Sequence, residues 1–205
     1  MAAAAQSTPP TTTALTGTKD RILDATAALF MRYGYTGTGL KQIVADANAP
    51  FGSLYHHFPG GKQELGAAVI HRSGAMYGEL VMSVFDAAPD ILTGVRDCFA
   101  GAAVVLEATD YADACPIETV ALEVASSNET LRIATAEVFE GWILAATIRF
   151  HAAGIDEEAA RALAISFINL LEGAFILCRA SRTTEALEGA GAAAVVLVES
   201  ALGSH

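Results

Sequence analysis

"TGLKQIVADANAPFGSLYHHFPGGKQEL", residues 38–65, divides an otherwise alanine-rich, apolar chain into two very short helical pieces and a tight turn. Thr38 is a good N-cap, because its hydroxyl can satisfy an orphan N–H of the first turn. Ile43 and Val44 give the piece that follows, through Ala47, an apolar face. Asn48 ends it where the backbone needs a left-handed residue, which asparagine tolerates. Pro50 then preorganises the first turn of a second piece through His57, and "PGG" breaks the chain again. Two short helices joined by a tight turn form a helix-turn-helix, whose second helix fits the major groove of DNA.

The same stretch is rich enough in chemistry to invite other readings, and spacing removes them. "GYTGTG", residues 34–39, loosely resembles a dinucleotide fingerprint, but an amphipathic helical pattern precedes it where that motif needs a strand. "GGK" fails as a phosphate loop, since His56 and Gln63 stand where glycine and a hydroxyl residue are required. Adjacent His56 and His57 project about 100° apart on a helix and do not face one metal. Ser53 and His57 are four apart, yet no acid within the short helix orients the base and no GxSxG elbow is present. No catalytic residue, metal or cofactor is expected.

Recognition remains. Gly52 lets backbone approach DNA closely, while Ser53, Tyr55, His56 and His57 suit phosphate oxygens and base edges, the tyrosine ring also suiting a thymine methyl. Leu54 and Phe58 anchor the helix inward. Lys62 opens the next helix, where its ammonium and free N–H groups can hold a phosphate together.

Charge supports this. The 205 residues carry a net charge of −11, which alone argues against nucleic acid. Residues 18–72, however, hold six basic residues against four acidic, and residues 73–205 six against nineteen. The first part can face phosphate and the second repels it. Cys98, Cys115 and Cys178 lie far apart without CxxC spacing, which suggests neither disulfides nor a zinc knuckle and fits a reduced cytoplasmic setting. Charges interrupt the apolar runs, so no membrane span is expected. "MAAAAQSTPPTTTALTG", residues 1–17, reads as a flexible tail rather than a secretory signal.

Apolar residues elsewhere recur at three-to-four spacing, which predicts an all-α chain of nine helices over 18–33, 38–47, 50–57, 62–85, 90–107, 117–125, 129–151, 156–182 and 185–202. Gly34 stops the first helix. In the fourth, Gly66, Gly74 and Gly78 each cost about 1 kcal/mol relative to alanine, for close packing or for compliance. "AISFINLLEGAFIL" and "GAGAAAVVLVESAL" suit two close-packed helices that pair with their two-fold mates in a four-helix interface using Leu163, Leu170, Ala174, Leu177, Val195 and Val198.

"GYTGTGLKQIVADANAPFGSLYHHFPGGKQEL" resembles the DNA-binding domain of the TetR/AcrR family of bacterial transcriptional regulators, and "DACPIETVALEVA" and "LLEGAFILCRASRTTEAL" resemble its LmrA/YxaF-like branch. The resemblance implies that Thr38, Lys41, Pro50, Gly52, Ser53, Tyr55, His56, His57 and Lys62 lie at or near an operator, with Phe51 beside them. Three residues depart from the family pattern: Gly39 for Ser or Thr, Asn48 for Gly, and Phe51 for Lys or Arg. The last removes a phosphate contact or supplies an apolar one.

The resemblance further implies a tail over 1–17, a DNA-binding domain over 18–61, and a ligand-binding and dimerisation domain over 62–205, with the helix over 62–85 connecting the two. Met76, Phe99, Cys115, Phe139, Trp142, Phe167 and Leu171 are the candidate cavity residues, and Glu118, Glu123 and Glu172 the candidate internal acids. The expected partners are a double-stranded DNA operator, a small-molecule effector and a second copy of the chain. The acidic C-terminal part favours a neutral or cationic apolar effector over an anionic one. The expected mechanism is repression from a pseudo-palindrome, relieved by that ligand. A ligand-independent DNA-binding regulator, and a helical ligand-binding protein or enzyme, are the alternatives.

Overall fold

Residues 17–113 and 115–203, which the computed structural model describes, fold into helices with no strand among them. In order these are α1 (Thr18–Gly37), α2 (Leu40–Asp46), α3 (Phe51–His57), α4 (Gly61–Ala87), α5 (Ile91–Ala108), α6 (Pro116–Val124), α7 (Glu129–Ala152), α8 (Glu157–Ser181) and α9 (Glu185–Leu202). The tail expected over residues 1–17 lies, Gly17 excepted, outside the described residues.

Local chemistry sets most boundaries. Asp90, Asn128 and Asp156 cap α5, α7 and α8 by accepting first-turn N–H groups. Asn48 adopts φ 45°, the left-handed conformation that the end of α2 requires. Gly34 is a kink rather than a stop: it takes φ 68°, and one further helical turn follows it. Thr38 corrects an expectation. It does not cap α2, whose N-cap is Gly39. It is buried at 1% exposure, and its Oγ1 donates to the Gly34 carbonyl at 2.7 Å, closing the kink. Pro50 stands one place earlier than expected, as the N-cap of α3.

Two hydrophobic clusters form the core. In the first, Ile22 and Phe30 of α1, Ile43 of α2, Leu54 of α3 and Leu65 of α4 pack with Ile117 and Val120 of α6 and Leu131 of α7. The second joins Phe85, Phe99, Phe150, Phe167, Leu187 and Val198 from α4, α5, α7, α8 and α9. The helix-turn-helix shares its core with residues beyond 61. Its apolar side is closed by α6 and α7, and α4 and α7 contribute to both clusters.

The glycines of α4 are sites of close approach by α7. A Cβ on Gly74 would lie 2.5 Å from Val138 Cγ1, and one on Gly78 3.0 Å from Trp142 Nε1. Trp142 Nε1 also donates to the Gly74 carbonyl at 2.8 Å. α8 is long and apolar enough to cross a membrane by length and composition. Its apolar content is accounted for by packing on α7 and α9 along one side and by an exposed apolar face on the other.

Candidate nucleic-acid interface and ligand cavity

α3 is held by its apolar residues so that its polar ones face outward. Leu54 is fully buried and Phe58, just past the helix, nearly so. The turn that presents α3 is fixed from α1, where Arg21 Nε donates to the Ala47 carbonyl at 3.0 Å. On the outer side Phe51, Gly52, Tyr55 and His56 are exposed, and Ser53 and His57 are half-buried. A Cβ on Gly52 would meet nothing within 4 Å, so the backbone there is open to a ligand. Phe51 and Tyr55 meet edge-on with ring centroids 5.8 Å apart, and His56 and His57 at 5.0 Å. Lys41 is exposed on α2. Of the expected DNA-facing residues, Thr38 alone is turned inward.

Lys62 has a different setting from the one expected. Its Nζ lies over the Tyr35 ring at 4.3 Å from the centroid. Burial lowers its pKa, partly offset by the Glu123 carboxylate. The backbone N–H of Gly60, at the start of the same helix, already donates to Glu64 Oε2 at 2.6 Å. A phosphate at the Gly60 N–H would compete with Glu64.

Glu123 is a contact that sequence reasoning missed. Expected as an internal acid, it is exposed and reaches from α6 to α1, where its Oε2 accepts from Thr36 N at 2.8 Å. A Cβ on Gly34 would fall on its carboxylate. Glycine at 34 thus serves both the positive φ and the approach of α6.

A cavity of about 300 Å³ lies among α4, α5, α7 and α8. Cys115, Trp142, Phe167 and Leu171 line it, as expected, and Tyr77 and Phe175 add further rings. Three expected lining residues do not. Met76 is exposed at 55% on the outside of α4, and Phe139 packs against the first cluster. Phe99 stands under a separate groove between α5 and α9, where a Cβ on Gly191 would approach its own Cβ to 2.9 Å. Met31 of α1 also lines the cavity, and its Sδ accepts from Tyr77 Oη at 3.5 Å. An aliphatic residue on the inner face of a first helix reads from sequence only as core.

Polar groups enter the cavity wall at Asp113, Cys115 and Glu172. Burial raises the pKa of the Cys115 thiol well above its ordinary value, and Glu172 adds to the effect. Cys98, on the α5 side of the wall, is pushed up to about 12, chiefly by burial. Both are therefore protonated thiols at neutral pH, and all three cysteines are free. Among the described residues no group of three His, Cys, Asp or Glu side chains could hold a metal.

The C-terminal helices leave an apolar face outside the protomer. Ile165, Ile176 and Leu177 of α8 and Val196 and Leu197 of α9 are exposed. Of the expected interface residues, Leu177 belongs to this face, while Leu163, Leu170 and Val195 are half-buried against the second cluster. Ala174 and Val198 are buried within the protomer at 4% and 2% exposure, and so do not serve an interface. The apolar run continues through both sides of each helix, and composition alone does not separate the inner face from the outer.

Residues 22–69 match the family described as bacterial regulatory proteins, tetR family. Residues 92–193 match the C-terminal domain described as transcriptional regulator LmrA/YxaF-like. The chain is 31% identical over 159 residues to the HTH-type transcriptional regulator YxaF of Bacillus subtilis, covering 78% of this chain and 83% of that one. It is 27% identical over 169 residues to LmrA of the same organism, covering 82% and 90%. In fold it is similar to a TetR transcriptional regulator from Legionella pneumophila, with a TM-score of 0.77 at 24% identity over 88% of this chain and 97% of that one. Helix-turn-helix, helical C-terminal part and sequence match agree: the chain belongs to the TetR family of bacterial transcriptional regulators, with an LmrA/YxaF-like C-terminal domain.

Proposed function

We propose that the protein is a cytoplasmic, dimeric repressor that holds a pseudo-palindromic operator through two copies of α3 and releases it when a small apolar molecule fills the cavity. The observation that carries this reading is the cavity wall. It includes Met31 of α1, the same helix that holds the α2–α3 turn through Arg21. A ligand that pushes on Met31 or Tyr77 acts on the helix that aims the reading head. Only a ligand with different affinities for the DNA-competent and DNA-incompetent conformers shifts their balance, and DNA then weakens the ligand by the same factor. In this reading residues 18–61 read DNA, with Lys41, Phe51, Ser53, Tyr55, His56 and His57 at the duplex, and residues 62–205 bind ligand and dimerise. The protein works by binding rather than by catalysis.

Binding to the DNA immediately upstream of the protein's own coding region, measured against salt, tests the reading. The logarithm of the binding constant should fall steeply with the logarithm of salt concentration, by about 0.9 for each phosphate neutralised. A flat response overturns it.

A further inference from the structure

One polar feature of the cavity wall is a carboxyl group whose two oxygens are not both satisfied: Cys115 and Glu118 face Glu172, yet one of its oxygens has no hydrogen bond. Glu172 projects from the middle of α8, and its Oε2 is sealed from solvent without a hydrogen-bond partner. Asp113 Oδ1 is likewise buried without a hydrogen bond, with only Arg32 Nε at 3.5 Å. Among the described residues no Lys, Arg or His side chain lines the cavity, and apart from Thr109 and the cysteines the rest of the wall is apolar or aromatic. A sealed, unpartnered carboxyl oxygen is costly unless a ligand completes it. An unpartnered carboxyl oxygen in a wall that also carries the rings of Tyr77, Trp142 and Phe167 suits a compact positive head on an apolar body. We propose that the cavity takes a monovalent organic cation, an ammonium group carried on an apolar or aromatic body, and that Glu172 is the residue that meets its charge. This rests on the reading of the cavity as the effector site, and it narrows that effector from a neutral or cationic molecule to a cationic one.

The surroundings of Glu172 give the binding a direction in pH. Facing it are the Cys115 thiol, ahead of α6, and the Glu118 carboxyl on α6, with Arg179 of α8 beyond Glu118. Asp113, from the segment between α5 and α6, Tyr77, from α4, and the Cys98 thiol, from α5, are the other charged and titratable groups of the wall among the described residues. Burial first, and then the charge of Glu118, push Glu172 up to about 8. At neutral pH the empty site therefore holds a proton on Glu172. An incoming ammonium displaces that proton to solvent, so affinity rises with pH up to about 8 and levels off above it. Well below that value the rise approaches tenfold per pH unit. A neutral ligand that accepts a hydrogen bond from the protonated carboxyl shows the opposite trend, weakening above pH 8.

Calorimetry on the full chain between pH 6 and 9 tests this with two probes, 4-phenylbutyl-trimethylammonium and its uncharged isostere bearing a tert-butyl head. The charge of the first does not change with pH, so any pH dependence belongs to the protein. The expected result is at least tenfold tighter binding of the cation at pH 8, a rise in its affinity from pH 6 to 8, and proton release visible as a dependence on buffer ionisation heat. Glu172→Gln should abolish both the preference for the cation and the pH dependence. Glu118→Gln, which keeps Glu172, should instead move the rise to lower pH. Equal or tighter binding of the isostere, binding of neither probe, or a pH dependence that survives Glu172→Gln overturns the proposal. A cation that binds as described but does not release operator DNA leaves the proposal standing and overturns the effector reading, so the two fail separately.

Discussion

Phe51 is an aromatic residue with 44% exposure at the start of the recognition helix, edge-on to Tyr55. An apolar ring there offers thymine methyl groups a contact and offers phosphate none. Phe51→Lys should therefore steepen the salt dependence of DNA binding by about 0.9 in the log–log slope while relaxing sequence preference. Fluorescence anisotropy over a salt series reads both, and an unchanged slope means that residue 51 does not reach a phosphate. Gly34 is the second residue on which the reading head depends. Its φ of 68° with ψ −178° lies in a region essentially reserved for glycine and costs another residue about 1–3 kcal/mol, and a Cβ there also meets the Glu123 carboxylate. Gly34→Ala should lower stability by more than that backbone cost alone. In a Glu123→Ala background the steric part should vanish and only the backbone part remain. Urea unfolding of the four proteins measures the difference; additive effects would mean that Glu123 does not hold the kink.

At the scale of elements, α4 and α7 show how packing overrides propensity. Gly74 is costly in an isolated helix, yet it admits Val138 at a distance no side chain at 74 would allow. Gly74→Ala should destabilise by about 1–3 kcal/mol through overpacking. Adding Val138→Ala should recover part of that loss, whereas a purely compliant helix would be stabilised by alanine. Thermal unfolding of the single and double variants decides between them. The same helices mark what was legible in sequence. The α2–α3 motif was readable because Asn48, Pro50 and Gly60–Gly61 are local signals, each fixing its own backbone. Thr38 misled because a hydroxyl that caps the next helix and one that donates back to Gly34 have the same sequence signature. Phe99 and Phe139 fell outside the cavity because an apolar stripe fixes which side of a helix is buried and not which neighbour it is buried against, and Met76 because an apolar residue on the outer side of α4 has the same signature as one on the inner side. Glu123 was invisible as a tie, since Thr36 lies 87 residues away and no local pattern joins them.

At the scale of the whole molecule, the exposed apolar face of α8 and α9 bears on the proposed reading of a palindrome by two copies of α3. Ile176, Leu177, Val196 and Leu197 lie outside the protomer core on two adjacent helices, a patch suited to burial against its own two-fold copy. A two-fold axis through that face sets two copies of α3 at a fixed separation. That separation must match about 34–36 Å, or another whole-turn spacing, for both to enter successive major grooves. Leu177→Glu combined with Leu197→Glu places charges on the face without touching either core cluster. The expected product is a folded monomer by sedimentation at micromolar concentration. Its operator affinity should fall by roughly 10²–10⁴, because the second half-site is no longer bound intramolecularly. Val198→Ala is the informative contrast: Val198 is buried within the protomer, so the variant should lose about 1–3 kcal/mol of stability and remain dimeric. A Leu177→Glu, Leu197→Glu protein that stays dimeric with undiminished operator affinity would place the interface elsewhere, and the two reading heads would then need another element to set their spacing.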